Sequence, residues 1–224
     1  MGVATAPAGL TLETISSENA FAALGEDEWD RLVRSKERPS PFLLHAWLLE
    51  WWRHYGADSE LAVQVAYRGG RLVGALPMCV RRRYGLRVLS FVGGEDSSLA
   101  DVLVEDDERG EIESALVDRG TSAGHDFAEL SGLSAESRFV EVLGPSRLSL
   151  VERSEAPVLD LTPGWEEVYT SKLSSKKRNH YRRRRRQLAE TGRLEVEVAH
   201  TADDLERALE DAFKLHDLRW NGRP

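Results

Sequence analysis

The chain has 224 residues, with 30 Lys and Arg against 38 Asp and Glu, which gives a formal net charge of −8. Hydrophobic residues make up 41% and charged residues 30%, a balance typical of a water-soluble globular protein. No apolar run approaches the roughly 18 residues of a membrane span, and the N-terminal residues lack the basic and apolar regions of a secretion signal, so we expect neither.

The first part of the chain predicts helices followed by a meander of strands. Residues 10–15 alternate like a short strand, and residues 41–55, which are rich in tryptophan, have helical spacing after a Ser-Pro start. Residues 60–67 and 71–82 are strand-like, and Arg68-Gly69-Gly70 between them is a tight hairpin signal. The other elements predicted up to residue 161 are helices over 16–24, 26–33, 107–124 and 137–143 and extended segments over 87–92, 100–104, 126–130, 147–152 and 158–161.

The last part of the chain predicts a long helix and then a strand and a helix. Thr162-Pro163 opens a helix that runs, with a break near Ser174, to Gly192. Residues 193–200 alternate as a strand, and an amphipathic helix follows up to Trp220. A strand and a helix alone make a poor independent core. We therefore expect this pair either to begin a second domain or to complete the sheet of the first.

The order of elements predicts an α+β fold with a mostly antiparallel mixed sheet flanked by helices. A long basic helix and the first strand and helix of a second unit follow it. The predicted domains are residues 1–161, a linker helix over 162–192, and an incomplete second domain over 193–224.

One segment, Ser171 to Leu188, concentrates positive charge. It holds nine of the 30 Lys and Arg residues and no acid, which leaves 21 basic residues against 38 acidic ones elsewhere. Its apolar residues, Leu173, Tyr181 and Leu188, fall on one stripe of a helix with cations on nearly every other face. Such a helix cannot be buried all round. We expect it to bind an anion or to dock on the protein's own acidic surface.

The residues also resemble a known family. Four features in chain order carry the resemblance: the sequence SKLSSKKRNHYRRR from Ser171, then Gly192, then a strand, and then LHDLRW from Leu215. Together they resemble the start of the acetyltransferase-like domain of the cellulose-biosynthesis (CelD/BcsL) type, within the GNAT superfamily. The hairpin sequence from Arg71 and the stretch from Gly94 to Asp101 resemble the N-terminal half of the same proteins. The resemblance implies two GNAT-like halves, with the chain truncated early in the second.

This resemblance implies an N-acyltransferase that moves an acyl group from acetyl-CoA or another acyl-CoA to an amine of a sugar or cell-envelope precursor. It implies no covalent enzyme intermediate. GNAT enzymes hold the CoA pyrophosphate on an Arg/Gln-x-x-Gly-x-Gly/Ala loop at a helix N-terminus. The nearest match, Arg71 to Leu76, has Leu where a small residue is needed and lies within a predicted strand. We therefore expect no recognisable CoA motif here, and these 224 residues need not be catalytic alone.

The candidate site residues come from three regions. Asp101 follows a Gly-Gly turn at a strand end, where it would orient or deprotonate a substrate amine; ordinary turn chemistry is the alternative. His216, Arg219 and Trp220 share a face of the final helix, with His216 as a second catalytic candidate and the other two in a substrate groove; packing on a sheet is the alternative. The candidate anion-binding residues of the basic segment are Lys176, Arg178, Tyr181, Arg182 and Arg185.

Several alternatives stay open for the basic segment. One alternative is that the segment is a linker helix whose cations neutralise acidic surfaces of the two halves. A tRNA-dependent aminoacyltransferase of the peptidoglycan type would use it to contact RNA phosphates, and a non-catalytic module would use it to recognise an anionic partner. The overall acidity argues against nucleic acid in general. The oligomeric state is not predicted by any pattern.

The remaining reactive residues predict little chemistry. His45, His54, His125 and His200 show no metal-ligand spacing with cysteine or with one another, so we predict no metal site. The single cysteine, Cys79, excludes an internal disulfide, and its apolar surroundings predict core packing and a reducing, cytoplasmic compartment.

Overall fold

The computed structural model describes residues 9–105, 108–122, 124–155 and 157–220. The chain divides into two compact units, Met1–Arg153 and Ser154–Pro224. The strands of the first unit are β1 (Leu10–Ile15), β2 (Ser59–Leu61), β3 (Val63–Arg68), β4 (Arg71–Leu76), β5 (Met78–Arg83), β6 (Leu86–Phe91), β7 (Leu103–Val104) and β8 (Phe127–Ala128). Its helices are α1 (Glu18–Ala22), α2 (Glu26–Arg34), α3 (His45–Tyr55), α4 (Glu111–Thr121) and α5 (Arg138–Leu143). The second unit contains α6 (Trp165–Lys172), α7 (Ser175–Thr191) and α8 (Ala202–Trp220).

Two four-stranded sheets form the centre of the first unit, in the orders β1-β3-β4-β7 and β2-β5-β6-β8. Among the described residues every pairing is antiparallel except that of β6 with β8. One long hairpin passes through both sheets, because β2 continues into β3 and β4 continues into β5. The bend lies at Ala62 and Pro77, where Pro77 has no N–H for the ladder and the Ala62 N–H donates to the Met78 carbonyl at 2.9 Å.

The turn of this hairpin follows the predicted signal. Gly69 and Gly70 both have positive φ, 58° and 80°, which glycine adopts without steric cost. The sequence therefore predicts the position of this hairpin turn correctly. Arg71 to Leu76 is β4, so the segment rejected as a CoA loop does lie within a strand.

Helices cover both faces of the sheets. One buried cluster contains Leu76, Leu89 and Val104 from the strands together with Leu116 of α4 and Phe139 of α5. The other cluster joins the opposite face to α1, α2 and α3 through large side chains. Its largest fully buried members are Trp29, Phe21, Leu32, Leu43, Leu48, Leu72 and Leu103. Because the core lies on both faces, the predicted α+β class with helices flanking a mostly antiparallel sheet is confirmed.

Several predicted bounds change in the first unit. The strand predicted over 100–104 shortens to β7, and that over 126–130 shortens to β8, because each pairs along only two residues. The predicted helix over 107–124 is α4; its predicted start, Asp107, lies outside the described residues. Residues 147–152 belong to no strand, since no neighbouring segment in the described part of the chain pairs with them.

A buried ion pair links the two helices on one face. Glu113, in the first turn of α4, accepts from Arg138 Nη2 at 2.8 Å and from the Gly110 N–H at 3.1 Å. Burial raises the pKa of the Glu113 carboxyl, but the hydrogen bonds from Arg138 and Gly110 outweigh burial, so its pKa lies below the ordinary value of 4.5. The same contact with Glu113 raises the pKa of the Arg138 guanidinium. The pair is therefore held in its charged form.

The second unit confirms the predicted break and stop of the basic helix. Ser174 caps α7, its hydroxyl accepting from the Lys177 N–H at 3.3 Å, and Gly192 follows the last residue of α7. Thr201 caps α8 in the same way, accepting from the Asp204 N–H at 3.2 Å. Within the described part of the chain, no helix is long and apolar enough to cross a membrane.

The strand predicted over residues 193–200 is wrong. These residues belong to no strand, although their alternating pattern is typical of one. A strand needs hydrogen bonds from a neighbour, and the described residues of this unit provide no neighbouring strand. Residues 158–161, also predicted as extended, are likewise in no strand.

We expect Gly74→Ala to destabilise the protein by about 1–3 kcal/mol, because a Cβ there would lie 2.9 Å from side-chain atoms of both Ile112 and Leu116. Denaturant unfolding of the full chain measures the change. Gly124→Ala is the matched control, since no atom lies within 4 Å of a Cβ built at that position. Equal stabilities for the two variants would contradict the close packing of α4 on β4.

Glu113→Gln tests the buried ion pair through pH. The folded-state pKa of Glu113 is lowered, so its contribution to the free energy of unfolding is present above about pH 4.5 and is lost as pH falls through the folded pKa. We expect the variant to be less stable than the natural chain at pH 7, with the difference shrinking below about pH 4.5. Glu111→Gln, exposed on the same helix, should change stability by less than about 0.5 kcal/mol at pH 7. A difference that stays constant from pH 7 to pH 3 would contradict the assignment.

Candidate functional site

The first unit carries an open groove of about 430 Å³ beside the loop that follows β6. Trp51 of α3 forms one wall, the end of β5 a second, and the loop a third. The lining residues are Trp51, Arg81, Arg82, Arg83, Glu95 and Asp96. Both signs of charge therefore face the same space.

Glycine is required where the loop approaches α3. Gly93 and Gly94 have φ of 101° and 50°, and a Cβ on Gly93 would lie 2.0 Å from Ser97 Oγ. A Cβ on Gly94 would lie 3.5 Å from the Trp51 ring and 3.7 Å from Arg81 Nη1. Leu99, further along the loop, also has a positive φ, 60°. A positive φ is strained for a residue with a side chain, such as Leu99, and strain of this kind clusters at functional sites.

Two indoles of α3 hold this loop in place. Trp51 Nε1 donates to Asp96 Oδ2 at 2.9 Å, and Trp47 Nε1 donates to Ser97 Oγ at 3.3 Å. Trp51 is buried, at 7% exposure, whereas Trp47 is exposed, at 39%. Their hydrogen bonds fix the carboxylate of Asp96 at the edge of the groove.

The three consecutive arginines of the groove are not equivalent. Arg82 pairs with Glu60 at 3.2 Å, and Arg83 pairs with Glu129 at 3.1 Å. A hydrogen bond from Arg87 lowers the pKa of Glu60, which keeps that carboxylate ionised beside Arg82. The guanidinium of Arg81 is half-buried and has no ion pair or hydrogen bond with any described residue. Sequence reasoning missed Arg81, because nothing in the run RRR distinguishes its first member.

Asp101, a predicted catalytic residue, is buried at 6% exposure behind the loop. One of its oxygens accepts from Lys36 Nζ at 2.7 Å, and the other accepts from Ser137 Oγ at 3.0 Å. The N–H groups of Phe139, Val102 and Arg138 complete its partners, at 2.8, 3.0 and 3.3 Å. These contacts anchor the first turn of α5, while the catalytic role stays a prediction.

The predicted anion-binding residues of α7 are mostly free. Lys176, Arg182 and Arg185 are exposed, and none forms an ion pair with a described acid of the same unit. Arg182 donates only to the side chain of Asn179, at 2.9 Å. Tyr181 is 53% exposed beside them. The cations of α7 are therefore available within this unit to an external anion.

Arg178 differs from the other cations of α7. Its Nη1 donates to the Thr170 carbonyl at 2.9 Å and to the Leu173 carbonyl. It therefore satisfies the carbonyls at the end of α6, where a cation also suits the helix dipole. Anion binding by Arg178 stays a prediction, and an anion would compete with these two carbonyl groups for its guanidinium.

The three residues nominated on α8 lie together at its end. The Arg219 guanidinium lies 5.1 Å from the centre of the Trp220 ring, and the His216 and Trp220 rings are 6.4 Å apart. His216 is exposed, with its Nδ1 at 3.7 Å from Asp217 Oδ1. The alternative of packing on a sheet is not seen among the described residues of this unit, since none of α8 is buried. Leu209 and Phe213 of the same helix are exposed at 46% and 66%.

The single cysteine confirms its predicted place in the core. Cys79 is fully buried, and burial raises the pKa of its thiol to about 12, so it packs in the core as a neutral group. Within residues that the structure describes, no group of three or more His, Cys, Asp or Glu is arranged to hold a metal ion.

The chain is similar to several solved structures and matches one family model over part of its length. Among solved structures, similar chains include an aminoglycoside acetyltransferase from an uncultured soil metagenomic sample, with 17% identity over 68% of this chain and 98% of that one and a TM-score of 0.42. A ribosomal-protein-alanine N-acetyltransferase from Brucella melitensis biovar Abortus 2308 has 16% identity over 67% and 99%, with a TM-score of 0.39. Glucosamine-6-phosphate N-acetyltransferase from Arabidopsis thaliana has 16% identity over 67% and 99%, with a TM-score of 0.38.

TM-scores below 0.5 at such identities are too low to carry an argument about activity. Curated protein sequences give no match to the chain. Residues 175–224, from the first residue of α7 onward, match the family model described as the acetyltransferase (GNAT) domain. This match supports the predicted GNAT-type N-acetyltransferase at the level of the family, for the segment that contains α7 and α8.

Proposed function

We propose that this chain is part of an N-acyltransferase that transfers an acyl group from acyl-CoA to an amine of a sugar or cell-envelope precursor. The observation that carries the proposal is the match of residues 175–224 to the acetyltransferase (GNAT) domain. The cellulose-biosynthesis type, the division into 1–161, 162–192 and 193–224, and a cytoplasmic setting belong to the proposal and rest on the sequence alone.

The residues of the two units differ in how well they suit the phosphates of CoA. Arg71 to Leu76 does not suit them, because Gly74 lies in β4 under Ile112 and Leu116 and presents no open loop. The unpaired cations of α7 do suit them, since guanidinium groups bind phosphate in a bidentate manner. We assign this role to Lys176, Arg182 and Arg185.

The reaction sets requirements for the remaining residues. The substrate amine attacks the thioester carbonyl, the C–N bond forms, the C–S bond breaks, and the amine proton must leave while CoA leaves as its thiol. A group that accepts the proton must be exposed to substrate. His216 meets this requirement, whereas Asp101 is buried with both oxygens occupied. We therefore favour His216 as the base and Asp101 as a residue that positions α5.

The CoA assignment predicts that the triple variant Lys176→Gln, Arg182→Gln, Arg185→Gln binds acetyl-CoA at least tenfold more weakly, since each charge-assisted contact contributes about 1.5–3 kcal/mol. Isothermal titration calorimetry of the full chain measures the Kd. The matched control is Arg193→Gln, Arg207→Gln, Lys214→Gln, which removes the same charge from residues already paired with acids of their own unit. It should retain binding within about threefold.

Equal losses in the two triple variants, or no binding of acetyl-CoA by the natural chain at millimolar concentration, would contradict the assignment. Binding of tRNA that weakens steeply with salt, in the absence of acetyl-CoA binding, would instead favour the peptidoglycan-type aminoacyltransferase. Binding of other polyanions alone would favour the non-catalytic module.

Asp101→Ala should lower the free energy of unfolding by about 3–5 kcal/mol, because it leaves the Lys36 ammonium without its buried partner. Denaturant unfolding measures the loss. The double variant Asp101→Ala, Lys36→Met is the control, and it should lose less than the sum of the single variants. A fully stable Asp101→Ala protein without acyl transfer would reverse the assignment and restore Asp101 as a catalytic candidate.

A further inference from the structure

We propose that the groove of the first unit binds a small molecule that carries both an anionic group, phosphate or carboxylate, and an ammonium group. The anion would contact Arg81, and the ammonium would contact Glu95 and Asp96. This site is separate from the cations of α7, and the proposal does not depend on acyl transfer.

The anionic half of the inference rests on Arg81. Its neighbours Arg82 and Arg83 also line the groove, but each has a carboxylate partner in Glu60 or Glu129. Arg81 is the most enclosed of the three and has no partner among the described residues. A half-buried guanidinium has lost part of its hydration, so it favours a ligand that returns a charge-assisted hydrogen bond.

The ammonium-binding part of the inference rests on Glu95 and Asp96, in the loop that follows β6. Asp96 accepts from Trp51 Nε1 through Oδ2, which fixes the carboxylate and leaves Oδ1 without a partner among the described residues. Glu95 is exposed and has no ion pair or hydrogen bond in the described part of the chain. Two adjacent carboxylates with unused oxygens suit an ammonium group, which has three donors and no acceptor.

The separation of these charges indicates a dipolar ligand. Arg81, Glu95 and Asp96 line one groove, yet no ion pair joins the cation to either acid among the described residues. A ligand with only an anionic group would leave the charges of the two carboxylates without a partner. A ligand with only a cationic group would leave the charge of Arg81 without a partner. A molecule that bears both groups satisfies both walls at once.

The size of the groove and the order of its loop agree with a small ligand. Its volume of about 430 Å³ lies within the range of about 300–1,000 Å³ that small-molecule sites occupy. The loop that follows Gly93 and Gly94 is held by hydrogen bonds from the Trp51 indole to Asp96 and from the Trp47 indole to Ser97. A preorganised site of this kind loses little entropy on binding.

The test uses three sugars that differ only in the two groups: galactosamine 1-phosphate, galactose 1-phosphate and galactosamine. The full chain is titrated with each by calorimetry, and the indole N–H signal of Trp51, assigned with Trp51→Phe, reports on the groove by NMR. We expect galactosamine 1-phosphate to bind at least tenfold more tightly than either other sugar and to shift the Trp51 signal.

Variants separate the two halves of the site. Arg81→Gln should weaken galactosamine 1-phosphate at least tenfold and leave galactosamine within about twofold, whereas Glu95→Gln should weaken both amines. Arg82→Gln is the matched control, because its guanidinium is paired with Glu60, and it should stay within about threefold of the natural chain.

Three results would overturn the proposal. The first is no shift of the Trp51 signal with any sugar at about 10 mM. The second is equal affinity for galactosamine 1-phosphate and galactose 1-phosphate. The third is an equal loss in Arg81→Gln and Arg82→Gln. Because no acyl-CoA is present in these experiments, their failure would not contradict the proposed acyl transfer. Failure of acetyl-CoA to bind at α7 would likewise not contradict the proposal for the groove.

Discussion

The first unit depends on one buried carboxylate, that of Asp101. It accepts from Lys36, which follows α2, and from Ser137, Phe139 and Arg138 at the start of α5. The helices on the two faces of the sheets are thus connected through a single side chain at the end of the loop that borders the groove. A buried charge of this kind is stable only with all of its partners present. The geometry of the groove therefore depends on contacts made behind it.

Positive charge is used in two different ways in this chain. In α7 the cations are dense and mostly exposed, and Lys176, Arg182 and Arg185 form no ion pair with a described acid of their unit, so they suit a highly charged ligand without fixing its orientation. In the groove a single half-buried guanidinium, Arg81, faces two carboxylates across a preorganised loop, so it suits a small ligand of defined shape. The two kinds of site therefore suit ligands that differ in size and in charge.

Local signals were the most predictable from the sequence. The Gly69-Gly70 turn, the Ser174 cap and the stop at Gly192 were all predicted, because each depends on the backbone preference of one or two residues. The bend of the long hairpin at Pro77 and the division into two sheets were not predicted, since the period-two pattern continues through the bend. The strand predicted over 193–200 is absent because pairing depends on a partner strand, which a local pattern cannot supply.

The candidate sites were predictable only in part. The density of charge in α7 is visible in the sequence, and so is the Gly-Gly turn before Glu95. The special position of Arg81 is not visible, because it depends on which of three adjacent arginines has a partner more than twenty residues away in sequence. Likewise, the structural role of Asp101 follows from donors that lie 36 to 65 residues away along the chain.

The most direct test of the account is NMR of the arginine side-chain Nε–H signals during titration of the full chain with acetyl-CoA. The account predicts that signals from Arg182 and Arg185 shift in a saturable manner, whereas those of Arg193 and Arg207 stay in place. Unchanged signals from α7, or equal shifts in every exposed arginine, would contradict the claim that the free cations of this helix form the phosphate-binding surface of an acyltransferase.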